Sequence, residues 1–161
     1  MIFAMTPFTL FHVLLSLIGI VAGVVALAGW LRSDLRSRWT AVFLGATVAT
    51  VVTGFLFPFT VVTPAISVGI LTSVLLALAL FALYARHLAG HWRDVFMACS
   101  IASLYLNVFV LVAQAFLKVP ALNDLAPTGS EPPFLVAQVL VLAGFLWLGY
   151  LAIRRFRPIS I

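Results

Sequence analysis

Charged residues are scarce in this chain of 161 residues: they make up 8% of it, and only four of them are acidic. A water-soluble domain carries about 25% charged residues, so this chain has too few polar groups to cover a globular fold with a hydrated surface. The scarcity excludes a soluble protein and favours lipid as the solvent. The length allows one domain, so residues 1–161 are predicted to form a single transmembrane domain.

The chain also has a single cysteine, and its apolar runs have no acidic residue. Cys99 is the only cysteine, which excludes a disulfide within the chain and indicates a small buried hydrophobic residue. The long apolar runs contain no aspartate or glutamate, so the acid that marks a proton relay is lacking. No nucleophile stands beside a base, and no phosphate-binding loop occurs. The sequence therefore favours a non-catalytic protein over an enzyme.

Long apolar runs are what the chain does contain. A membrane-spanning helix needs about 20 consecutive apolar residues. Such runs predict helices, because backbone groups in hydrocarbon must find their partners within the same segment. The predicted fold is an all-α, polytopic transmembrane bundle of five helices, at residues 8–31, 40–57, 64–85, 95–117 and 134–153.

Proline and polar residues mark the ends of several predicted spans. Residues 57–64 contain Pro58 and Pro64 but no charge, and they predict a tight turn. One long helix kinked at both prolines is the weaker alternative. Ser130 is predicted to cap the fifth helix, with Glu131 in its first turn.

Basic residues are distributed unevenly around these spans. Of the nine lysines and arginines, only Lys118 lies on one side of the predicted bundle, and the arginines all lie on the other. Loops rich in arginine and lysine stay in the cytoplasm, so the N-terminus is predicted outside and the C-terminus inside. The four tryptophans fall near the arginine-rich side, as expected for amphipathic rings at a membrane interface: Trp30, Trp39, Trp92 and Trp147.

The expected partners are membrane lipids and other membrane proteins. The net charge of +5 comes from short arginine clusters that are too small to follow a phosphate backbone, so no nucleic-acid partner is expected. The terminal arginines suit anionic lipid. Small residues recur at helical spacing on the first span, and this stripe predicts close packing against a helix of the same chain or of another subunit: Ser16, Gly19, Gly23 and Ala26.

The three histidines are candidate ligands for a metal or a haem. His87 and His91 are spaced to share one helix face, but no cysteine or carboxylate completes a metal site around them. His12 is predicted at the opposite side of the membrane, so it cannot hold a haem together with either of them. The sequence therefore predicts no metal and no cofactor.

Polar residues are concentrated toward the predicted outer half of the bundle. The spacing of Asn107, Gln114 and Lys118 places them on one face of the fourth helix, below a loop that carries Asp124 and Glu131. Two interpretations stay open: a polar pocket open to the outside, or hydrogen bonds between helices that fix the bundle. The candidate ligand-binding residues are His12, Asn107, Gln114, Lys118, Glu131 and Gln138.

Several short stretches of the chain carry a resemblance that extends over most of its length. They are YLNVFVLVAQAF at 105–116, KVPAL at 118–122, LAPT at 125–128, SEPPF at 130–134, TGFLFPF at 53–59 and TPA at 63–65. In these stretches the chain resembles an uncharacterised family of small bacterial multi-pass membrane proteins. The resemblance implies a bacterial origin and an inner-membrane location, and it implies no mechanism. Similar sequences often carry histidine after Phe-Pro-Phe, where this chain has Thr60.

Three classes of function follow from these observations. The first is an accessory or structural membrane subunit, or a small-ligand binder that uses the outward-facing polar pocket. The second is a small channel or transporter that acts as an oligomer, because five helices leave little room for a pore. The third is a redox enzyme that acts on a quinone or a lipid.

Overall fold

The computed structural model describes residues 6–58 and 63–157. Its regular elements are all helical, which confirms the predicted all-α class, and five of the helices are long and apolar enough to cross a membrane. The helices are α1 (Pro7–Trp30), α2 (Ser37–Phe55), α3 (Pro64–Leu80, followed by a π-helical turn over Phe81–Ala85), α4 (Trp92–Lys118), the short α5 (Pro120–Asn123) and α6 (Pro132–Arg155).

The connection between α2 and α3 is a break in the helical structure. Because α2 ends at Phe55 and α3 begins at Pro64, the alternative of one long kinked helix is wrong. Residues 59–62, which include Thr60 and make up half of the predicted turn, lie outside the described residues.

Threonine caps and prolines start two of the long helices. The Thr6 hydroxyl accepts a hydrogen bond from the Thr9 backbone N–H at 3.2 Å, and the Thr63 hydroxyl accepts one from the Ile66 N–H at 3.4 Å. Each threonine is followed by a proline, whose fixed φ suits the first helical position.

The start of α6 differs from the prediction that Ser130 is its N-cap. The N-cap residue is Glu131, followed by Pro132 at the first helical position. The reason lies in the side chain of Glu131, whose carboxylate turns back into the preceding loop and accepts hydrogen bonds there. Ser130 belongs to that loop, where its hydroxyl lies 2.6 Å from the Thr128 hydroxyl.

Helix α4 is the centre of the bundle. It packs against α1, α3 and α6, while α1 and α3 also pack against α2. In α4, 44% of the membrane-length stretch is buried, compared with 6% in α6. Helix α6 is therefore held along one side only.

The tightest part of the core lies at the end of the bundle where the arginines are found, called here the basic end. The Trp30 side chain is fully buried there, with its ring centroid 6.2 Å from Phe43 and 5.6 Å from Phe96. Its indole N–H lies within hydrogen-bond distance of the Thr40 hydroxyl (3.2 Å) and the Leu35 carbonyl (3.3 Å). The prediction that Trp30 is an interface residue is therefore wrong, because the start of α2 covers it.

A hydroxyl joins two segments at the basic end. Ser33, in the loop between α1 and α2, donates a hydrogen bond to the Arg155 carbonyl at 2.6 Å. The same oxygen accepts one from the Arg157 N–H at 3.0 Å. These bonds fasten the end of α6 to the first loop.

The small-residue stripe on α1 is an internal packing surface. A Cβ added to Gly23 would lie 2.6 Å from Leu104 Cδ1 and 2.9 Å from Phe43 Cδ2. A Cβ added to Gly19 would lie 3.3 Å from the Thr47 hydroxyl oxygen. Glycine therefore allows α1 to approach both α2 and α4 more closely than any larger residue would.

We expect Gly23→Val to destabilise the bundle by about 1–3 kcal/mol, because the added side chain must displace Leu104 and Phe43. The measurement is the free energy of unfolding in mixed micelles as the fraction of denaturing detergent is raised. Gly45→Val is the matched control, because a Cβ at Gly45 meets no atom within 4 Å. Equal losses in the two variants would contradict the packing role of Gly23.

Candidate functional site

Three buried threonines lie along one side of α2 at Thr47, Thr50 and Thr53, called here the threonine ladder. Each hydroxyl donates a hydrogen bond to the carbonyl four residues earlier on α2, at 2.7, 2.9 and 2.8 Å respectively. The hydroxyl proton is used within the helix, so the oxygen remains free to accept a bond from a neighbouring helix. The ladder therefore presents acceptors toward α1 and α4.

His12 of α1 meets the last threonine of this ladder. Its Nδ1 lies 2.8 Å from the Thr53 hydroxyl oxygen. Because that hydroxyl donates to the Ala49 carbonyl, we assign the Nδ1–H tautomer to His12, with Nδ1 as the donor. The unprotonated Nε2 then carries the lone pair, and the edge of the ring packs against Phe57 at 5.2 Å between centroids.

Asn107 of α4 meets the first threonine of the ladder. Its Nδ2 donates a hydrogen bond to the Thr47 hydroxyl at 3.2 Å, and the Asn107 side chain is only 8% exposed. The pair joins α2 to α4, which otherwise share few contacts.

Gln138 of α6 is bonded to α4 at a separate position. Its Nε2 donates to the Phe109 carbonyl at 3.1 Å, and its other amide atom, Oε1, is buried without a hydrogen-bond partner. A buried acceptor without a partner costs about 1–3 kcal/mol. Among the candidate residues, Gln138 therefore has a buried oxygen, Oε1, that could accept a further hydrogen bond.

Gln114 and Lys118 occupy the exposed end of α4. Both side chains are exposed, although their helical spacing places them on the same face as the buried Asn107. The two ion pairs among the described residues join Arg36 to Asp34 and Arg93 to Asp94. Lys118 therefore forms no ion pair with an acid among the described residues.

Glu131 organises the loop that precedes α6. Its Oε1 accepts hydrogen bonds from the Thr128 hydroxyl at 2.8 Å and the Thr128 N–H at 3.1 Å, and Oε2 accepts one from the Ser130 N–H at 3.1 Å. The bond from the Thr128 hydroxyl is the main reason that the pKa of Glu131 lies below its ordinary value. The hydrogen bonds of the Glu131 carboxylate thus lie within its own loop.

His87 and His91 do not share a helix face, so that sequence-based premise is wrong. The helical structure before them ends at Ala85 and α4 begins at Trp92, which leaves both histidines in the connecting segment. His87 has a positive φ of 47°, which turns the chain sharply at this point. Among the described residues, no group of three metal-binding side chains comes together.

The candidate residues thus fall into separate places. The His12–Thr53, Asn107–Thr47 and Gln138–Phe109 bonds each join a different pair of helices, while Gln114 and Lys118 face outward and Glu131 stays in its loop. Thr47 was missed as a partner, although threonine repeated every three residues on an apolar helix is a readable signal. These amide, imidazole and hydroxyl groups are suited to hydrogen bonding with a neutral group.

Comparison of the chain with protein-family models, curated proteins and solved structures gives no match.

A double-mutant cycle of Thr47→Val and Asn107→Leu should give a coupling free energy of about 0.6 kcal/mol, the average for hydrogen bonds between membrane helices. The measurement is the free energy of unfolding in mixed micelles for the two single variants and the double variant. Thr72→Val serves as the control partner for Asn107→Leu, because the Thr72 hydroxyl bonds to the Val68 carbonyl of its own helix. Equal coupling in both cycles would show that the Asn107–Thr47 bond contributes nothing specific.

The Glu131 contacts should depend on pH in a defined direction. Because its pKa in the folded chain lies below 4.5, these contacts stabilise the loop fully above pH 4.5 and are lost as the pH falls through the folded pKa. The NMR shift of the Thr128 amide should follow this titration with a midpoint below 4.5. Glu131→Gln should abolish the titration and Asp124→Asn should preserve it. A midpoint at or above the ordinary value would refute the assignment.

Proposed function

We propose that this chain is a multi-pass protein of a bacterial inner membrane that serves as an accessory subunit or small-ligand binder. It has its N-terminus outside and its C-terminus inside, and its ligand enters an outward-facing polar cleft. The five apolar helices support the membrane class. The placement of the nine lysines and arginines supports the orientation, and the resemblance to small bacterial membrane proteins supports the location.

Burial differs between the two halves of the bundle. In α1 the buried residues begin at Gly19 and continue to Trp30 at the basic end. In α4 they extend from Phe96 to Asn107, and beyond that only Phe116 is buried. The two helices are thus enclosed by protein in the basic half and much less enclosed in the other half, which supports an opening at the end opposite the basic end.

The contrast between Asn107 and Gln114 is the observation that carries the proposal. They lie on the same face of α4, yet Asn107 is 8% exposed and Gln114 is exposed. Seven residues of helix separate them by about 10 Å along the axis. The face that carries them therefore changes from enclosed to open over this distance, as the wall of a cleft does. The Asn107–Thr47 bond lies at its closed end.

The polar groups near this opening favour a neutral, polar small molecule as the ligand. The Gln114 amide is exposed and offers donors and an acceptor, while the Asn107 Nδ2 is already bonded to Thr47 and the Gln138 Oε1 is a buried acceptor without a partner at a separate position. The hydrogen bonds between helices provide a fixed frame around these groups, which favours binding over chemical conversion.

We expect a cysteine at Gln114 to react with a membrane-impermeant maleimide added outside intact cells, because water reaches this position through the cleft. Val136→Cys is the matched control: Val136 is 57% exposed and lies four residues into α6, as Gln114 lies four residues from the end of α4, but it has apolar neighbours. Both variants carry Cys99→Ala to remove the native thiol. Labelling of Gln114→Cys should exceed labelling of Val136→Cys at least tenfold.

Equal and low labelling of both cysteines, at normal protein levels, would contradict the cleft. Labelling of a cysteine in the 154–157 segment from outside would overturn the orientation without testing the cleft. Solute flux through the purified protein in proteoliposomes would contradict the binding function and show that the chain is a transporter or channel.

A further inference from the structure

Two cavities on the surface of α1 and α2 meet at Trp39. The first is an apolar groove of about 350 Å³ lined by Leu14, Leu17, Ile18, Val21, Ala22, Trp39 and Val42. The second is a polar hollow of about 430 Å³ at the basic end, lined by the segment from Asp34 to Trp39 except Leu35. Because Trp39 lines both, the apolar groove and the charged hollow adjoin each other at this side chain.

The groove has the shape and chemistry to hold a hydrocarbon chain. Its wall on α1 is built from side chains at successive helical turns, and Leu14, Ile18 and Val21 are 49, 50 and 60% exposed. The wall runs for about 10 Å along the helix axis. It offers no polar side chain apart from the indole of Trp39, which is 45% exposed at the junction. Such a ring suits the boundary between acyl chains and headgroups.

The hollow carries an unpaired arginine. Asp34 is occupied by Arg36: its Oδ1 accepts the Arg36 backbone N–H at 2.9 Å, and its Oδ2 lies 3.6 Å from the Arg36 Nε. Arg38 takes part in neither ion pair of the described residues. The two arginines and one aspartate leave the hollow with a net positive charge.

Other arginines at the basic end are engaged by aromatic rings. The Arg86 guanidinium lies 5.4 Å from the Trp92 ring, and that of Arg154 lies 5.1 Å from the Tyr150 ring. Neither lines the groove or the hollow. Arg38 is therefore distinguished by its position beside an apolar groove, and not by its charge alone.

We propose that the groove and the hollow bind one anionic phospholipid, with an acyl chain in the groove and the phosphate beside Arg38. The phosphate gains a charge-assisted hydrogen bond from the guanidinium. A headgroup with a net negative charge is favoured over a zwitterionic amine headgroup, because both oxygens of Asp34 are already engaged by Arg36 and the hollow retains positive charge. The site lies at the basic end, so the proposal does not depend on the polar cleft.

Quenching of Trp39 fluorescence by brominated lipid tests this site directly. The purified full chain carries Trp92→Phe and Trp147→Phe, so that Trp39 reports the groove while the buried Trp30 gives a constant background. Phosphatidylglycerol and phosphatidylcholine with the same brominated acyl chains are added to mixed micelles at equal mole fractions. We expect the phosphatidylglycerol to quench at several-fold lower mole fraction.

Arg38→Gln should reduce this preference for phosphatidylglycerol about fivefold, because the phosphate loses its contact with the guanidinium in the hollow. Arg154→Gln is the matched control and should leave the preference unchanged, because Arg154 lies outside the two cavities. Gel filtration confirms that each variant is folded; both positions are exposed and should tolerate glutamine.

Three results would overturn the proposal. Equal quenching by the two lipids would show that the hollow does not select charge. Equal losses in Arg38→Gln and Arg154→Gln would show attraction to the whole basic end without a defined site. Equal quenching by brominated phosphatidylethanolamine and phosphatidylglycerol would assign the hollow to a zwitterionic headgroup.

Discussion

A polar group enclosed by apolar helices is stabilised by a hydrogen-bond partner within the protein, and this requirement explains how three pairs of helices are joined. An unpaired polar group in hydrocarbon costs several kcal/mol. The threonine ladder supplies partners for two such groups. Each threonine hydroxyl donates within α2, while Thr53 also accepts from His12 and Thr47 also accepts from Asn107. Polar residues thus act as specific connections on helices whose apolar surfaces would otherwise pack in many ways.

The fold class and the helix limits could be predicted because they follow from local properties. Long uncharged runs predict spans, and Pro64 marks the start of α3 in both the sequence and the structure. The glycines at 19 and 23 predict close packing, because a missing side chain has the same consequence whichever helix faces it. The lengths of the helices also follow from the local sequence, because each helix extends beyond its apolar run by a turn or less.

The partners of individual side chains could not be predicted, because they depend on which helices become neighbours. Trp30 has the position of an interface residue, but Phe43 and Phe96 from two other helices enclose it. Asn107 and Gln114 share a helix face, and the arrangement of the neighbouring helices buries the first and leaves the second exposed. The candidate site could therefore be predicted as a set of residue types at one depth, but not as a set of contacts.

Helix α6 is attached to the bundle by its packing against α4 and by hydrogen bonds near both of its ends. Only Gln138 and Ala152 are buried on α6, and they lie about 21 Å apart along its axis. Gln138 is bonded to the Phe109 carbonyl near one end, and the Ser33 hydroxyl holds Arg155 near the other. These hydrogen bonds fix the direction of α6 alongside α4, and many of the side chains between them are apolar and exposed. The polar bond of Gln138 thus adds a specific connection to the packing of α6 against α4.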